Sequence, residues 1–188
     1  EYVPDAAAVE ELFADDPDAD VVATLHPRLA LYIGSVAIAR DRGLLGAGFG
    51  RYGSHLSRSD YSPIYAEYGL DKVPLLQADR ASAVTDTYWP MVLGETGVIG
   101  LAGALVFMGA VWVRLWRATA ASTTVLERAI ALGILMVFVE GLVRSLTSSV
   151  YTAPPIAYFV LGAAGMSIAM QRTVAEDAEA SQPLPTSR

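Results

Sequence analysis

Arginine and acidic side chains occur in this chain where they could handle phosphate groups and protons. Arg28 and Arg40 stand at the two ends of an apolar stretch, and two more arginines, Arg42 and Arg51, follow it. A guanidinium group is planar and can contact two phosphate oxygens at once. The spacing alone favours a simpler interpretation, in which these arginines hold a membrane-adjacent helix at the level of the lipid headgroups.

Two residues are candidates for proton transfer. His55 carries an imidazole, which accepts a proton near neutral pH, and Asp86 stands in a loop that enters a strongly apolar segment. A histidine or aspartate in a loop is most often only solvated, so residue type does not assign the role. The chain has no Cys and 2 His, which excludes disulfides and a closed zinc site made of His and Cys. We expect no metal and no cofactor.

Apolar segments must position these residues, since 53% of the chain is hydrophobic. The sequence predicts three transmembrane helices, over residues 91–113, 129–146 and 154–170. The stretch from 28 to 40 is too short to cross a bilayer and predicts an interfacial or buried helix. The fold class predicted is therefore an all-α integral membrane protein, and we expect the chain to be part of a longer polytopic protein.

An ionisable pair lies inside the second apolar segment. Glu140 and Arg144 are four residues apart, in the order that favours a side-chain pair on one helix. A structural ion pair and a role facing an anionic headgroup or substrate are equally good interpretations.

Charge predicts the orientation of the chain and excludes one class of partner. The net charge of −7 arises entirely from residues 1–92, and no basic cluster suits nucleic acid. Arginines flank the first and third predicted spans on the side of the 113–129 loop and the C-terminus, so that side should be cytoplasmic. Residues 1–90 then form an extracytoplasmic loop region, residues 91–172 contain the spans, and residues 173–188 form a disordered cytoplasmic tail.

Glycines are concentrated between residues 41 and 57, where they break any helix and permit tight turns near a bound group. The run GLLGAGFG, which contains Gly46, Gly48 and Gly50, is neither a P-loop nor a dinucleotide-binding fingerprint.

Taken in order, these features resemble the C-terminal part of the O-antigen ligase and O-antigen polymerase family of bacterial envelope polysaccharide enzymes. In that family an arginine opens a short helix that leads into a G-x-G-x-G turn, as Arg28 leads here through RLALYIGSVAIARDRGLLGAGFGRY. The second family motif, x-y-l-x-x-l-x-E-x-G-x-x-G-l, is similar to DTYWPMVLGETGVIGL, which contains Asp86 and Glu95. Asp86 stands where ligases have a catalytic His, and Thr87 replaces the Asn of the family pair.

The resemblance implies a GT-C-like fold and metal-independent glycosyl transfer at the outer face of the cytoplasmic membrane. The donor would be a glycan on undecaprenyl diphosphate, and the acceptor would be a hydroxyl group of a glycan or lipid. It implies that Asp86 takes the acceptor proton. His55 matches no position of the family motifs and is the alternative base on its side-chain chemistry alone. The diphosphate would be bound by arginines (Arg28, Arg40 and Arg144), and Glu95, Glu140 and the turn glycines would orient or pack.

Two other classes stay open on the sequence. A transporter or flippase would also contain intramembrane Glu140 and Arg144, and is favoured if they line a through-going cavity. A non-catalytic anchor of an acidic outer domain is favoured if Arg28, Arg40 and Asp86 do not converge.

Overall fold

The structure, a computed structural model, describes residues 25–152, 157–158, 161–165 and 169. All regular secondary structure in these residues is helical, which confirms the predicted helical class for them. The α-helices are α1 (Pro27–Arg42), α2 (His55–Ser59), α3 (Ile64–Glu67), α4 (Tyr88–Ala121) and α5 (Val125–Ser145). Short 3-10 turns occupy Gly43–Leu45, Leu70–Lys72 and Val150–Thr152.

Helix α1 begins and ends where local chemistry requires. Proline stands in its first turn, where a missing N–H costs nothing, and the imidazole Nδ1 of His26 accepts a hydrogen bond of 3.3 Å from the backbone N–H of Arg28. The helix ends at Gly43, whose φ of 72° suits glycine. Its buried face includes Leu31, Gly34 and Ile38.

The described residues form two compact units. The first contains residues 25–106 and 143–152, and the second contains residues 107–142 with the described residues beyond 152. The core of the first unit is built from α1 and the loops around α2 and α3, with Leu31, Ile38, Tyr52, Tyr65 and Leu70 fully or almost fully buried. This unit extends beyond residue 90, where we predicted the end of the loop region.

Helix α4 is broken once. Gly97 has a φ of 64° and a ψ of −161°, a conformation that only glycine adopts readily, so the chain changes direction between two helical parts. The part after the break, Val98–Ala121, is about 36 Å long at the standard helical rise. The predicted span at 91–113 therefore contains the end of one helix and the beginning of another.

One helix among the described residues, α4, is long and apolar enough to cross a membrane. Only 11% of its most apolar stretch is buried, whereas the core helix of a soluble protein would be mostly covered. A three-span fold is thus not confirmed. Helix α5 matches the second predicted span in position but carries Glu127, Arg128, Glu140 and Arg144. The third predicted span and the predicted tail lie mostly or wholly outside the described residues.

The end of α5 returns to the first unit. The indole Nε1–H of Trp89 donates to the hydroxyl oxygen of Ser145 at 2.8 Å, and the Tyr32 hydroxyl donates to the backbone carbonyl of Leu146 at 2.7 Å. Tyr88 also packs edge-on against Tyr151. The beginning of α4 and the end of α5 are therefore held together beside α1.

Candidate functional site

An arginine and an aspartate separated by 58 residues in sequence meet at the beginning of α1. The guanidinium Nη2 of Arg28 lies 3.4 Å from a carboxylate oxygen of Asp86. Their side chains are 47% and 41% exposed, so the ion pair is open to solvent and to a ligand. The structure thus brings together the predicted phosphate ligand and one predicted proton acceptor.

Local structure fixes both partners of this pair. Arg28 lies in the first turn of α1, and its backbone N–H is bonded to the His26 cap. Asp86 lies in a turn closed by its own N–H, which donates to the carbonyl of Ala83 at 3.1 Å, two residues before α4 begins. Arg28 therefore stands on a helix, and Asp86 stands at the end of the 73–87 connection in a turn closed by a backbone hydrogen bond.

The glycine-rich turn docks onto the break in α4. In an uninterrupted helix the carbonyls of Gly94 and Glu95 would accept hydrogen bonds from residues four positions later. Here they accept from the turn instead, at 2.8 Å from the N–H of Ala47 and 2.9 Å from the N–H of Gly48. The two glycine motifs of the sequence are thus one structural joint.

Two glycines permit the close approach at this joint. A Cβ atom at Gly46 would stand 2.6 Å from the carbonyl oxygen of Gly94 and 2.6 Å from the nitrogen of Gly97. A Cβ atom at Gly97 would overlap the carbonyl oxygen of Leu44. Both glycines also have positive φ, so the lack of space for a side chain and the backbone conformation each require glycine at these positions. Gly50, also at positive φ, lies against the side chain of Leu56.

Tyr52 joins the turn to two helices. Its backbone N–H donates to the carboxylate of Glu95, and its hydroxyl donates to the carbonyl of Leu31 at 2.6 Å. Glu95 is buried, so its predicted orienting role corresponds to a hydrogen bond in the protein interior. The ring of Tyr52 fills space left by glycines, because added Cβ atoms at Gly34 and Gly94 would meet its hydroxyl and its ring.

Burial shifts the titration of the tyrosines behind the joint. It raises the pKa of Tyr52 well above the ordinary value, and the neighbouring Tyr65 adds to the shift. Burial likewise raises the pKa of Tyr65, while hydrogen bonds from Ser57 and the Gly53 N–H partly oppose the shift. The pKa of Tyr61 is raised chiefly by burial. These phenols stay protonated at neutral pH and serve as hydrogen-bonding parts of the core.

The other predicted residues lie elsewhere. Arg40 is near the opposite end of α1, about 18 Å from Arg28 along the helix axis, so the two are not neighbours. Arg28 and Asp86 therefore meet, but the three residues Arg28, Arg40 and Asp86 do not all converge, and the non-catalytic anchor stays open as an alternative. His55 is exposed at the beginning of α2, and its side chain has no hydrogen bond or ion pair within the described part of the chain. Glu140 and Arg144 are exposed residues of α5, and Arg144 precedes the Ser145 that bonds Trp89. Among the described residues, no group of His, Asp and Glu is arranged to hold a metal.

Comparisons with family models, with curated proteins and with solved structures each returned no match. Function is therefore inferred from the geometry of the site and from the resemblance in its motifs.

A buried hydroxyl adjoins the ion pair. The side chain of Thr87 is fully buried, and its oxygen has no hydrogen-bond partner within the residues that the structure describes. This is the position at which the resembling family has an Asn.

Sequence reasoning did not single out Tyr52, although it is the residue that connects α1, the glycine turn and α4. A usable signal was present. Gly34 and Gly94 stand inside helical segments where they form no turn, and such glycines indicate that a large side chain approaches closely. The contact of Trp89 with Ser145 had no comparable sequence signal.

Proposed function

We propose that this chain is the membrane-anchored C-terminal part of an enzyme that transfers a glycan from undecaprenyl diphosphate to an acceptor hydroxyl group. The reaction would polymerise or ligate an envelope polysaccharide such as O-antigen at the outer face of the cytoplasmic membrane. The observation that carries the proposal is the solvent-accessible ion pair of Arg28 and Asp86. Asp86 stands two residues before α4, which among the described helices is the one long and apolar enough to cross a bilayer. A guanidinium group that can bind phosphate therefore lies next to a carboxylate that can accept the proton of a hydroxyl group.

Arg28 is proposed to bind the diphosphate. Of the several N–H groups of its guanidinium, only one on Nη2 is engaged by Asp86, and no other side-chain hydrogen bond of Arg28 occurs in the described residues. The remaining donors can contact two phosphate oxygens and stabilise the charge that accumulates as the carrier departs. The carrier's diphosphate would lie at the headgroup level, near the beginning of α4.

Asp86 is proposed to accept the proton of the acceptor hydroxyl. The hydroxyl oxygen would bond to the anomeric carbon of the donor glycan, and the bond from that carbon to the diphosphate oxygen would break. The bonding electrons would leave with undecaprenyl diphosphate, and the proton would pass to the Asp86 carboxylate and then to water. Ion pairing with Arg28 holds this carboxylate in place.

Arg144 remains the second candidate for the diphosphate. Its neighbour Ser145 is bonded to Trp89, three residues after Asp86, so Arg144 belongs to the same end of the first unit as the ion pair. Arg40 is better assigned to the lipid headgroups, since it lies near the other end of α1.

The test is glycan transfer by the complete membrane protein with single substitutions. Asp86→Asn should abolish transfer while expression and donor binding persist, because the amide cannot accept the proton. Arg28→Lys should impair transfer despite keeping the charge, because an ammonium group lacks the planar two-pronged geometry. His55→Ala should be mild, and Arg58→Lys, the same exchange at another exposed arginine, should match the parent.

Other outcomes would redirect the proposal. Loss of activity in His55→Ala with an active Asp86→Asn variant would make His55 the base. Full activity in Asp86→Asn, His55→Ala and Arg28→Lys alike would favour the non-catalytic anchor.

A further inference from the structure

The glycine-rich turn exposes large apolar side chains to an unusual degree. Phe49 is 84% exposed, Leu45 is 71% exposed and Leu44 is 62% exposed. These three residues, which we call the apolar tip, lie within six positions of one another on a turn that is otherwise mostly glycine and alanine. A soluble surface seldom concentrates such residues at one protruding turn unless something covers them.

Backbone contacts fix the tip to the beginning of the membrane-crossing part of α4. The N–H groups of Ala47 and Gly48 are bonded to the carbonyls of Gly94 and Glu95, and the carbonyl of Leu44 lies against Gly97. The first residues after the break, Val98 and Ile99, are themselves about half exposed and apolar. The turn that carries the tip is therefore bonded at the start of the crossing helix, whose first residues are also exposed and apolar.

The break also defines the depth of this region in a bilayer. Within hydrocarbon, irregular backbone is tolerated only where protein covers it and satisfies its peptide groups. The regular apolar part of α4 begins at Val98, so a border of the hydrocarbon core at Gly97 leaves regular helix inside the core and the break, whose carbonyls are bonded by the turn, at its edge. Trp89 and Tyr88 lie upstream, where aromatic side chains favour the headgroup region. The tip, held against Gly97, lies at the same border.

Basic residues flank the tip on both sides in sequence. Arg40 and Arg51 are exposed, and neither side chain forms a hydrogen bond or ion pair within the described ranges. Arg42, by contrast, is engaged by both carboxylate oxygens of Glu67, at 2.7 and 2.6 Å. The apolar tip is flanked by two arginines whose side chains have no partner among the described residues. This arrangement is complementary to a lipid bilayer, which has hydrocarbon in its interior and phosphate groups at its surface.

We infer that the apolar tip inserts into the outer edge of the bilayer's hydrocarbon core, with Arg40 and Arg51 on lipid phosphates. The partner is the bilayer itself. The inference rests on the membrane location in the proposed function but is independent of the reaction. It would fix the Arg28–Asp86 site at a constant height above the membrane through α1 and the joint.

The chain contains no cysteine, so single Cys variants can carry a nitroxide label without competing sites. The full chain would be reconstituted in phosphatidylglycerol–phosphatidylcholine vesicles. Collision of the label with oxygen, which enters hydrocarbon, would be compared with collision with a water-soluble nickel chelate. Labels are placed at Phe49 in the tip, at Gly109 as a membrane control, where an added side chain meets nothing, and at exposed Ser82 as a water control.

We expect an oxygen-to-nickel accessibility ratio that is severalfold higher at Phe49 and Gly109 than at Ser82. A hydrocarbon signal at Gly109 with a watery signal at Phe49 would overturn the insertion of the tip alone. A Phe49 label shielded from both reagents would also overturn it, because that pattern indicates a protein partner. A watery signal at Gly109 would overturn the membrane location itself, which is distinct from a loss of glycan transfer.

Discussion

The backbone N–H of Tyr52 donates a hydrogen bond of 3.1 Å to the side chain of Glu95, 43 residues further along the chain. The bond is buried, and it connects the residue that follows the glycine turn to the last helical turn before the break in α4. A loop amide is thus satisfied by a carboxylate that belongs to α4. This relationship makes Glu95 part of the framework of the site rather than one of its reacting groups.

Substitutions of Glu95 should separate hydrogen bonding from catalysis. Glu95→Ala leaves the Tyr52 N–H buried without its acceptor and should lower the free energy of unfolding by about 1–3 kcal/mol. Glu95→Gln keeps an acceptor oxygen and should lose less. Chemical denaturation in detergent, followed by circular dichroism, measures both. Equal stability of the Ala variant and the parent would show that the bond contributes nothing.

Replacement of Gly97 by Ala should disrupt the joint. The added Cβ would overlap the Leu44 carbonyl, and alanine does not readily adopt the backbone angles of Gly97, so we expect a loss of about 2 kcal/mol or more. Gly103→Ala is the matched control in the same helix, since a Cβ there meets nothing. The control should be neutral or stabilise by up to about 1 kcal/mol. Thermal unfolding in the same detergent measures both variants. An unfolding midpoint of Gly97→Ala equal to that of Gly103→Ala would contradict the structural role of the joint.

The Arg28–Asp86 pair should contribute little to stability. Both side chains are nearly half exposed, and such ion pairs are worth about 0–1 kcal/mol. Asp86→Asn should therefore unfold within about 1 kcal/mol of the parent, so that a loss of transfer reports on chemistry. A large destabilisation in the same denaturation measurement would instead make the pair structural.

Alkaline pH should unfold the first unit through its tyrosines. Burial raises the pKa of Tyr52 and Tyr65 in the folded protein, so the unfolded chain releases phenolic protons first. The stabilisation is fully present below about pH 10, the ordinary tyrosine value, and is lost as the pH rises toward the folded pKa values. We expect tyrosinate absorbance in two phases, the later of which coincides with loss of helical circular dichroism.

The Tyr52→Phe variant provides the control for this pH dependence. It lacks the hydroxyl bond to Leu31 and should be about 1 kcal/mol less stable at neutral pH, yet its stability should decline less steeply above pH 10. A decline as steep as that of the parent would show that other groups govern alkaline unfolding.

Membrane sidedness can be tested with cysteines at Ser59 and Ser122. If residues 1–90 face outward, an impermeant thiol reagent applied to intact cells should label Ser59→Cys and spare Ser122→Cys, which follows the end of α4. Labelling with the opposite preference would reverse the proposed orientation.

Short-range sequence signals predicted the long helices, whereas the short helices α2 and α3 lie in segments predicted as a glycine turn and a loop. The arginine-bounded apolar stretch corresponds closely to α1, and the second predicted span corresponds to α5 within a few residues. The break at Gly97 was not predicted, because a single glycine in an apolar helix has no distinctive local pattern. Its conformation is set by contact with the turn around Gly46, a tertiary relationship that hydropathy does not contain.

The candidate site was predicted in its residue types and only partly in its geometry. The motif resemblance assigned Arg28 and Asp86 to one site, and the structure shows them in contact. Arg40 was grouped with Arg28 because the two arginines stand at the ends of the same apolar stretch. Helical rise separates them by about 18 Å. The connecting role of Tyr52 depends on three separate segments, and no linear spacing encodes it.

Gly46 and Gly97 are packed backbone against backbone, so a side chain at either position would overlap the backbone of the other. Their evolutionary fates are therefore linked. In any related chain that retains the broken helix, both positions should be glycine, and a lineage that loses one should also lose the other or straighten the helix.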